Sequence, residues 1–161
     1  MEITIIDQQK KVPLKLSSLR KIVKTILHKE GIVHASLSFV FVTHQKIRAL
    51  NRKYLHHDYA TDTIAFDNQE RDSKTVRYPS RRKKAKSIAG DIVISTDAVL
   101  RCAPLYGVSL QQELVLYMIH GLLHLMGFND HHAQEIEKMR KKEKEILAFL
   151  GRRINGTITT K

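Results

Sequence analysis

Apolar positions recur along this chain with two different periods, and they change over at polar punctuation. Residues 2–7, EITIID, alternate and predict a short strand. In 17–31, SSLRKIVKTILHKEG, the positions Leu19, Ile22, Val23, Ile26 and Leu27 recur at helical spacing between opening serines and Gly31, which predicts a capped amphipathic helix. ASLSFVFVT, 35–43, alternates again and is rich in Val and Phe, a strand pattern. HQKIRALNRKYL, 44–55, places Ile47, Leu50 and Tyr54 on one face of a short helix. TDTIAF, 61–66, and AGDIVIST, 89–96, are further strands, and TDAVLRCAPLYG, 96–107, is a helix whose end Pro104 should disturb.

The strongest helical pattern is SLQQELVLYMIHGLLHLMG, 109–127, where Ser109 and Gln112 have capping-box spacing and Gly127 supplies a stop. AQEIEKMRKKEKEILAFLG, 133–151, is a last helix, with Ile136, Met139, Glu143, Ile146 and Leu147 sharing a broad face. Glu137 precedes Lys141 by one turn, the favourable order for such a pair. RDSKTVRYPSRRKKAK, 71–86, has no period and reads as a basic loop, and the tail at 152–161 is expected to fray. No repeat or linker divides residues 1–161, so one domain is expected. The order β-α-β-α-β-β-α-α-α predicts an α+β fold, a small mixed sheet of about four strands packed by about five helices.

Composition narrows the class. The chain is 42% hydrophobic, enough for a packed core. No apolar run approaches the roughly 18 residues needed to span a bilayer, and the start MEITIIDQQKK does not resemble a signal peptide. The single cysteine, Cys102, cannot form an internal disulfide and sits in an apolar stretch, consistent with a core residue in a reducing cytoplasm. Charge is more pointed. Twenty-eight Lys and Arg stand against 16 Asp and Glu, a net +12 that favours a polyanionic partner.

Candidate chemistry is concentrated in HGLLHLMGFNDHH, 120–132. His120 and His124 are separated by about 40° around the helix axis, so both rings leave one face. Imidazoles among Leu and Met are expensive without partners, costing on the order of a few kcal/mol. Gly127 allows a sharp turn that brings Asp130 back as a third ligand, giving H-x-x-x-H-x-x-G-x-x-D, a metal site on a helix and its exit loop. Zinc takes such N and O ligands and keeps a fourth position open in catalytic sites. Zinc proteases carry a general-base glutamate directly after the first histidine, where this chain has Gly121, so peptide hydrolysis by that route has no proton acceptor.

With these residues in view, HGLLHLMGF resembles the signature of the YbeY endoribonucleases, H-G-x-L-H-L-x-G-Y-D-H. LNRKY at 50–54, TDTIAF at 61–66, GDIVIS at 90–95 and EKM at 137–139 extend the resemblance over most of residues 40–145. It implies a zinc-dependent endoribonuclease with one zinc per chain. Such an enzyme prefers single-stranded RNA, matures ribosomal RNA of the small ribosomal subunit, and supports ribosome quality control.

This chain departs from the signature twice. Aligned without a gap, the third histidine falls on Asp130, with His131 one residue further; the ungapped register also suits Glu135 and Met139, and Asp130 is the expected third ligand. An aspartate lowers the net positive charge at the metal and weakens it as a Lewis acid. The family's arginine after the tyrosine is replaced by Leu55, which cannot clamp a phosphate; Arg52 or His56 are the nearby substitutes. Arg52 and the cluster Arg81, Arg82, Lys83 and Lys84 are the candidate RNA-binding residues. His56, His57 and Asp58 are further candidates to line the cleft. Asp62 and Glu113 are candidate bases by position only, and no catalytic base is assigned.

Overall fold

Alternating β-branched and aromatic residues build a single sheet in this computed structural model, which describes residues 1–68 and 87–154. Its strands are β1 (Glu2–Asp7), β2 (His34–Val42), β3 (Thr63–Asp67) and β4 (Ser87–Ser95), in the order β1-β2-β4-β3. The β1–β2 and β2–β4 pairs are parallel, with Ile5 opposite Phe39 and Phe39 opposite Ile92. β3 is the antiparallel edge strand, with Ile64 opposite Val93. Five helices complete the described residues: α1 (Leu16–Lys29), α2 (His44–Leu55), α3 (Thr96–Tyr106), α4 (Leu110–Leu125) and α5 (Ala133–Ile154). The architecture is the α+β mixed-sheet fold expected from the order of elements.

Strand alternation divides the sheet between two layers. Leu37, Phe39 and Phe41 of β2, with Ile88, Ile92 and Ile94 of β4, lie in the main core with α1, α4 and α5. Val42 and Val93 belong instead to a smaller cluster with Ile47 of α2 and Ile64 of β3. α4 is buried on most of its surface, and Met118, Ile119, Leu122 and Leu123 have no exposure at all. The predicted capping box holds it at the start: Gln112 N–H donates to Ser109 Oγ, and Ser109 N–H donates to Gln112 Oε1. Gly121 sets its approach to the sheet. A Cβ there would stand 2.5 Å from Ile92 Cγ2, so the bare glycine lets α4 lie directly on β4.

One helix end is undisturbed where a disturbance was expected, and another runs past its expected mark. α3 continues through Pro104 to Tyr106, because so little helix remains beyond the proline that only a single backbone bond is forgone. α5 continues to Ile154, into the segment expected to fray, carrying the apolar face of Ile146 and Leu150 with it. Lys142 Nζ lies 3.0 Å from Glu30 Oε2, and Lys29 pairs with Glu145, so α5 is also tied to α1 by charge. On the α2 side, Asp97 Oδ2 accepts from His44 N–H at 2.6 Å while Oδ1 accepts from Lys11 Nζ at 2.5 Å. No helix among the described residues is long and apolar enough to cross a membrane. The basic loop 71–86 lies outside the described residues.

Candidate metal centre

The site begins with the helical period of α4 and ends with a backbone reversal. His120 and His124 leave the same face, one turn apart. α4 stops at Leu125, and Gly127 adopts φ +92°, a conformation costly for any side-chain-bearing residue. Gly127 N–H donates to the His124 carbonyl and Phe128 N–H to that of Leu123, both at 2.9 Å, closing the helix end tightly. The chain then returns Asp130 to the histidines. Its Oδ2 lies 3.6 Å from His120 Nε2 and 3.7 Å from His124 Nε2.

The outer ring nitrogens are occupied. His120 Nδ1–H donates to Glu143 Oε1 of α5 at 2.7 Å, and His124 Nδ1–H donates to the Phe128 carbonyl at 3.1 Å. Those bonds fix the tautomers and turn both Nε2 atoms inward, 3.0 Å apart. Two imidazole lone pairs and a carboxylate oxygen thus face a common point, an arrangement that repels itself unless a cation or proton sits between them. Ligand atoms of His120, His124 and Asp130 all lie within 4.8 Å of one another, and this group could hold a metal ion. The donor set of two neutral nitrogens and one carboxylate suits zinc.

The electrostatics of the two rings differ. Burial pulls the His120 pKa down, but the Glu143 hydrogen bond and the charges of Glu143, Asp62 and Asp130 outweigh it, leaving the ring easier to protonate than usual. His124 moves the other way, lowered first by burial and then by the neighbouring His120 charge, against Asp130 and the Phe128 carbonyl. His120 is therefore the ring that takes a proton more readily, and a cation bound there would compete with that proton.

The other expected residues are dispersed. His131 is exposed and remains outside the three-residue group, although its charge reaches His124. Arg52 is exposed on α2, where its charge acts on Asp58, itself paired with Arg48 at 3.0 Å. Leu55 is 44% exposed at the last position of α2, and His56 caps that helix with φ 58°. Asp62, at the entry to β3, is close enough for its charge to act on His120. Glu113 is buried, and its charge acts on the Tyr117 phenol, whose pKa is pushed up by burial first, then by Cys102 and Glu113. Cys102 is half-buried beside that phenol rather than fully enclosed. Arg81, Arg82, Lys83 and Lys84 lie outside the described residues.

Two contributors carry no plain signature along the chain. Glu143 looked like one polar member of the α5 face, yet it is the acceptor that orients His120. An acidic residue one turn after buried Met139 and just before buried Ile146 was the available signal. Gly121, which stands where zinc proteases carry a glutamate, is also required for the contact of α4 with Ile92. Thr63 Oγ1, next to Asp62, is buried without a hydrogen-bond partner among the described residues.

Comparison with known proteins places this geometry in a lineage. A family described as "Endoribonuclease YbeY" matches residues 4–151. Among curated relatives bearing that description, the chain is 34% identical to one from Syntrophus aciditrophicus, covering 93% of this chain and 90% of the relative. One from Geobacter metallireducens is 33% identical over 94% and 97% of the two chains. A third, from Pelotomaculum thermopropionicum, is 40% identical over 82% and 84%. A solution structure of a Thermotoga maritima protein shares the fold with a TM-score of 0.62 over 98% of this chain and 96% of that one, at 22% identity.

Proposed function

The chain belongs to the YbeY family, and from that premise we propose that it is a zinc-dependent endoribonuclease that prefers single-stranded RNA. Its biological substrate is ribosomal RNA of the small subunit, cut in the cytoplasm during maturation and quality control. The observation that carries this reading is the inward convergence of His120 Nε2, His124 Nε2 and Asp130 Oδ2, with both outer nitrogens already committed.

His120, His124 and Asp130 would hold one zinc per chain. When bound, the ion supplies Lewis acidity toward a phosphoryl oxygen. Glu143 and the Phe128 carbonyl keep the rings aimed, so little reorganisation is needed at the moment of reaction. The side chains of His120, His124 and Asp130 are 23%, 27% and 39% exposed, which leaves one side of the group open to a phosphate. Arg52 and the cluster Arg81, Arg82, Lys83 and Lys84 bind the RNA backbone by charge, with affinity that falls as salt rises. The exposed Leu55 offers no donor fork to the scissile phosphate, and Asp130 reduces the charge at the ion, so both features make cleavage slow.

Single-turnover cleavage of a labelled single-stranded RNA tests the reading, with zinc content measured alongside. Zinc-loaded wild type should cut internally, and His124→Ala should lose zinc and cleavage while retaining RNA binding. Zinc-loaded protein that binds RNA yet never cuts it would make the chain a ribosome-associated RNA-binding module. The same protein ignoring RNA would point to a metallohydrolase of another substrate.

A further inference from the structure

The loop from α2 to β3, which leads to Asp62, carries an exposed pair of stacked rings. The rings of His57 and Tyr59 have centroids 5.3 Å apart and planes inclined by 14°. Tyr59 Oη lies 3.2 Å from His57 Nδ1, which joins the two rings at their polar edges. Tyr59 is 57% exposed, although a tyrosine gains more by burying its ring than by displaying it. The display is held in place from beneath. Asn51, 2% exposed, donates from Nδ2 to the Tyr59 carbonyl at 2.8 Å, and its own carbonyl accepts from His57 N–H. His56 turns the chain through the left-handed region so that the loop can fold back over Asn51.

The surroundings are cationic. α2 carries Lys46, Arg48, Arg52 and Lys53 and no acidic residue, and Arg48 pairs with Asp58. The loop also leads to the metal group. Three residues after Tyr59, Asp62 acts on His120, and its carbonyl accepts from Ser95 N–H at 2.8 Å. At no more than about 3.6 Å per residue, the Tyr59 backbone lies within about 11 Å of Asp62, a span of few nucleotides.

We propose that the stacked His57–Tyr59 pair is a nucleobase platform, on which an unpaired base of single-stranded RNA stacks beside the scissile phosphate while α2 cations hold its backbone. The pair's outer ring faces are the kind of surface every base can use, whereas a base inside a duplex has both its own faces covered. The platform thereby gives a physical origin for a preference for single strands. This inference rests on the RNA-cleavage reading above.

The test uses full-length, zinc-loaded protein with three RNA-like probes of equal length: single-stranded oligoadenylate, a duplex, and an oligomer abasic at its central positions. Tyr59→Ala should weaken oligoadenylate binding roughly five- to hundredfold, the scale of one lost stacking contact, while leaving the abasic oligomer and the zinc content unchanged. Tyr59→Phe should keep wild-type affinity. In cleavage, Tyr59→Ala should raise KM and spare kcat. The chain has no tryptophan, so Tyr59→Trp provides a direct reporter that does not depend on the alanine variant folding. Its fluorescence should be quenched by oligoadenylate and not by the abasic oligomer. Wild type that cuts single-stranded RNA, together with an unquenched Tyr59→Trp and unchanged KM in Tyr59→Ala, overturns the platform alone. Wild type that neither binds nor cuts RNA overturns the functional reading, and the platform with it.

Discussion

Truncating Glu143 should weaken metal binding without touching a ligand. The carboxylate is 13% exposed, and Oε1 accepts the His120 Nδ1–H at 2.7 Å. A hydrogen bond to a charged acceptor contributes about 1.5–3 kcal/mol, equivalent to roughly ten- to 150-fold in an equilibrium constant. Partners of metal-bound histidines, when removed, typically cost about ten- to hundredfold in affinity, an independent figure of the same size. Glu143→Ala should therefore lower zinc affinity by one to two orders of magnitude, on the order of ten- to hundredfold. Glu143→Gln separates geometry from charge. Its amide oxygen can still accept the proton, so the tautomer survives and only the negative charge behind the ring is lost, predicting a smaller deficit.

A competition titration against a chromophoric chelator reads these constants directly. Thermal unfolding at fixed excess zinc gives a second reading, because a ligand stabilises the folded state by RT ln(1 + [L]/Kd). A tenfold weaker site under saturating metal thus loses about 1.4 kcal/mol of zinc-dependent stabilisation. The control is the metal-free protein, where any loss in Glu143→Ala reports α5 packing alone. Wild-type zinc affinity in Glu143→Ala would refute the claim that this contact sets the orientation of His120.

Leu55→Arg should leave stability within about 0.5 kcal/mol, since the position is exposed, and should speed single-turnover RNA cleavage about ten- to hundredfold if the new guanidinium contacts phosphate in the transition state; rapid wild-type cleavage unchanged by the substitution would show that another residue already binds that phosphate. Gly121→Ala forces a methyl against Ile92 and should destabilise by about 1–3 kcal/mol in urea unfolding, with weaker zinc binding because α4 must shift. The Asp97 pKa is lowered first by its Lys11 bond and then by the His44 N–H, so its stabilisation is full above the ordinary aspartate value of about 3.9 and is lost as pH falls through the folded value. Asp97→Asn should accordingly cost about 1–3 kcal/mol at neutral pH, and the gap from wild type should close below about pH 4; an equal deficit in acid would contradict the assignment.

What was legible along the chain was what local periods encode. His120 and His124 share a face because of helix geometry alone, and Gly127 announces the turn that returns Asp130, so all three candidate ligands could be named from one short segment. β2 was legible from its alternation and α1 from its single apolar stripe for the same reason. Boundaries were less so: Pro104 is a local signal for a disturbed end, yet α3 runs on to Tyr106 and is capped by Gly107, because a proline so close to the end forgoes a single backbone bond. Glu143 was hidden because it reaches His120 across 23 residues, through the docking of α5 on α4. No periodicity within α5 distinguishes a glutamate that faces solvent from one that faces an imidazole.

The same division explains how the site is built. One local segment supplies the donor atoms, so the ligand set can form wherever that helix and turn form. Distant elements supply the aim: β4 receives Gly121 and sets the height of α4, α5 turns His120, and Asp62, just before the edge strand, acts on it by charge. Ligand identity and ligand orientation are therefore separable by mutation. Changes at His120, His124 or Asp130 should alter which ion is held and whether it is held. Changes at Glu143 or Gly121 should alter how strongly the same ion is held, because they move the rings while leaving every donor atom in the chain.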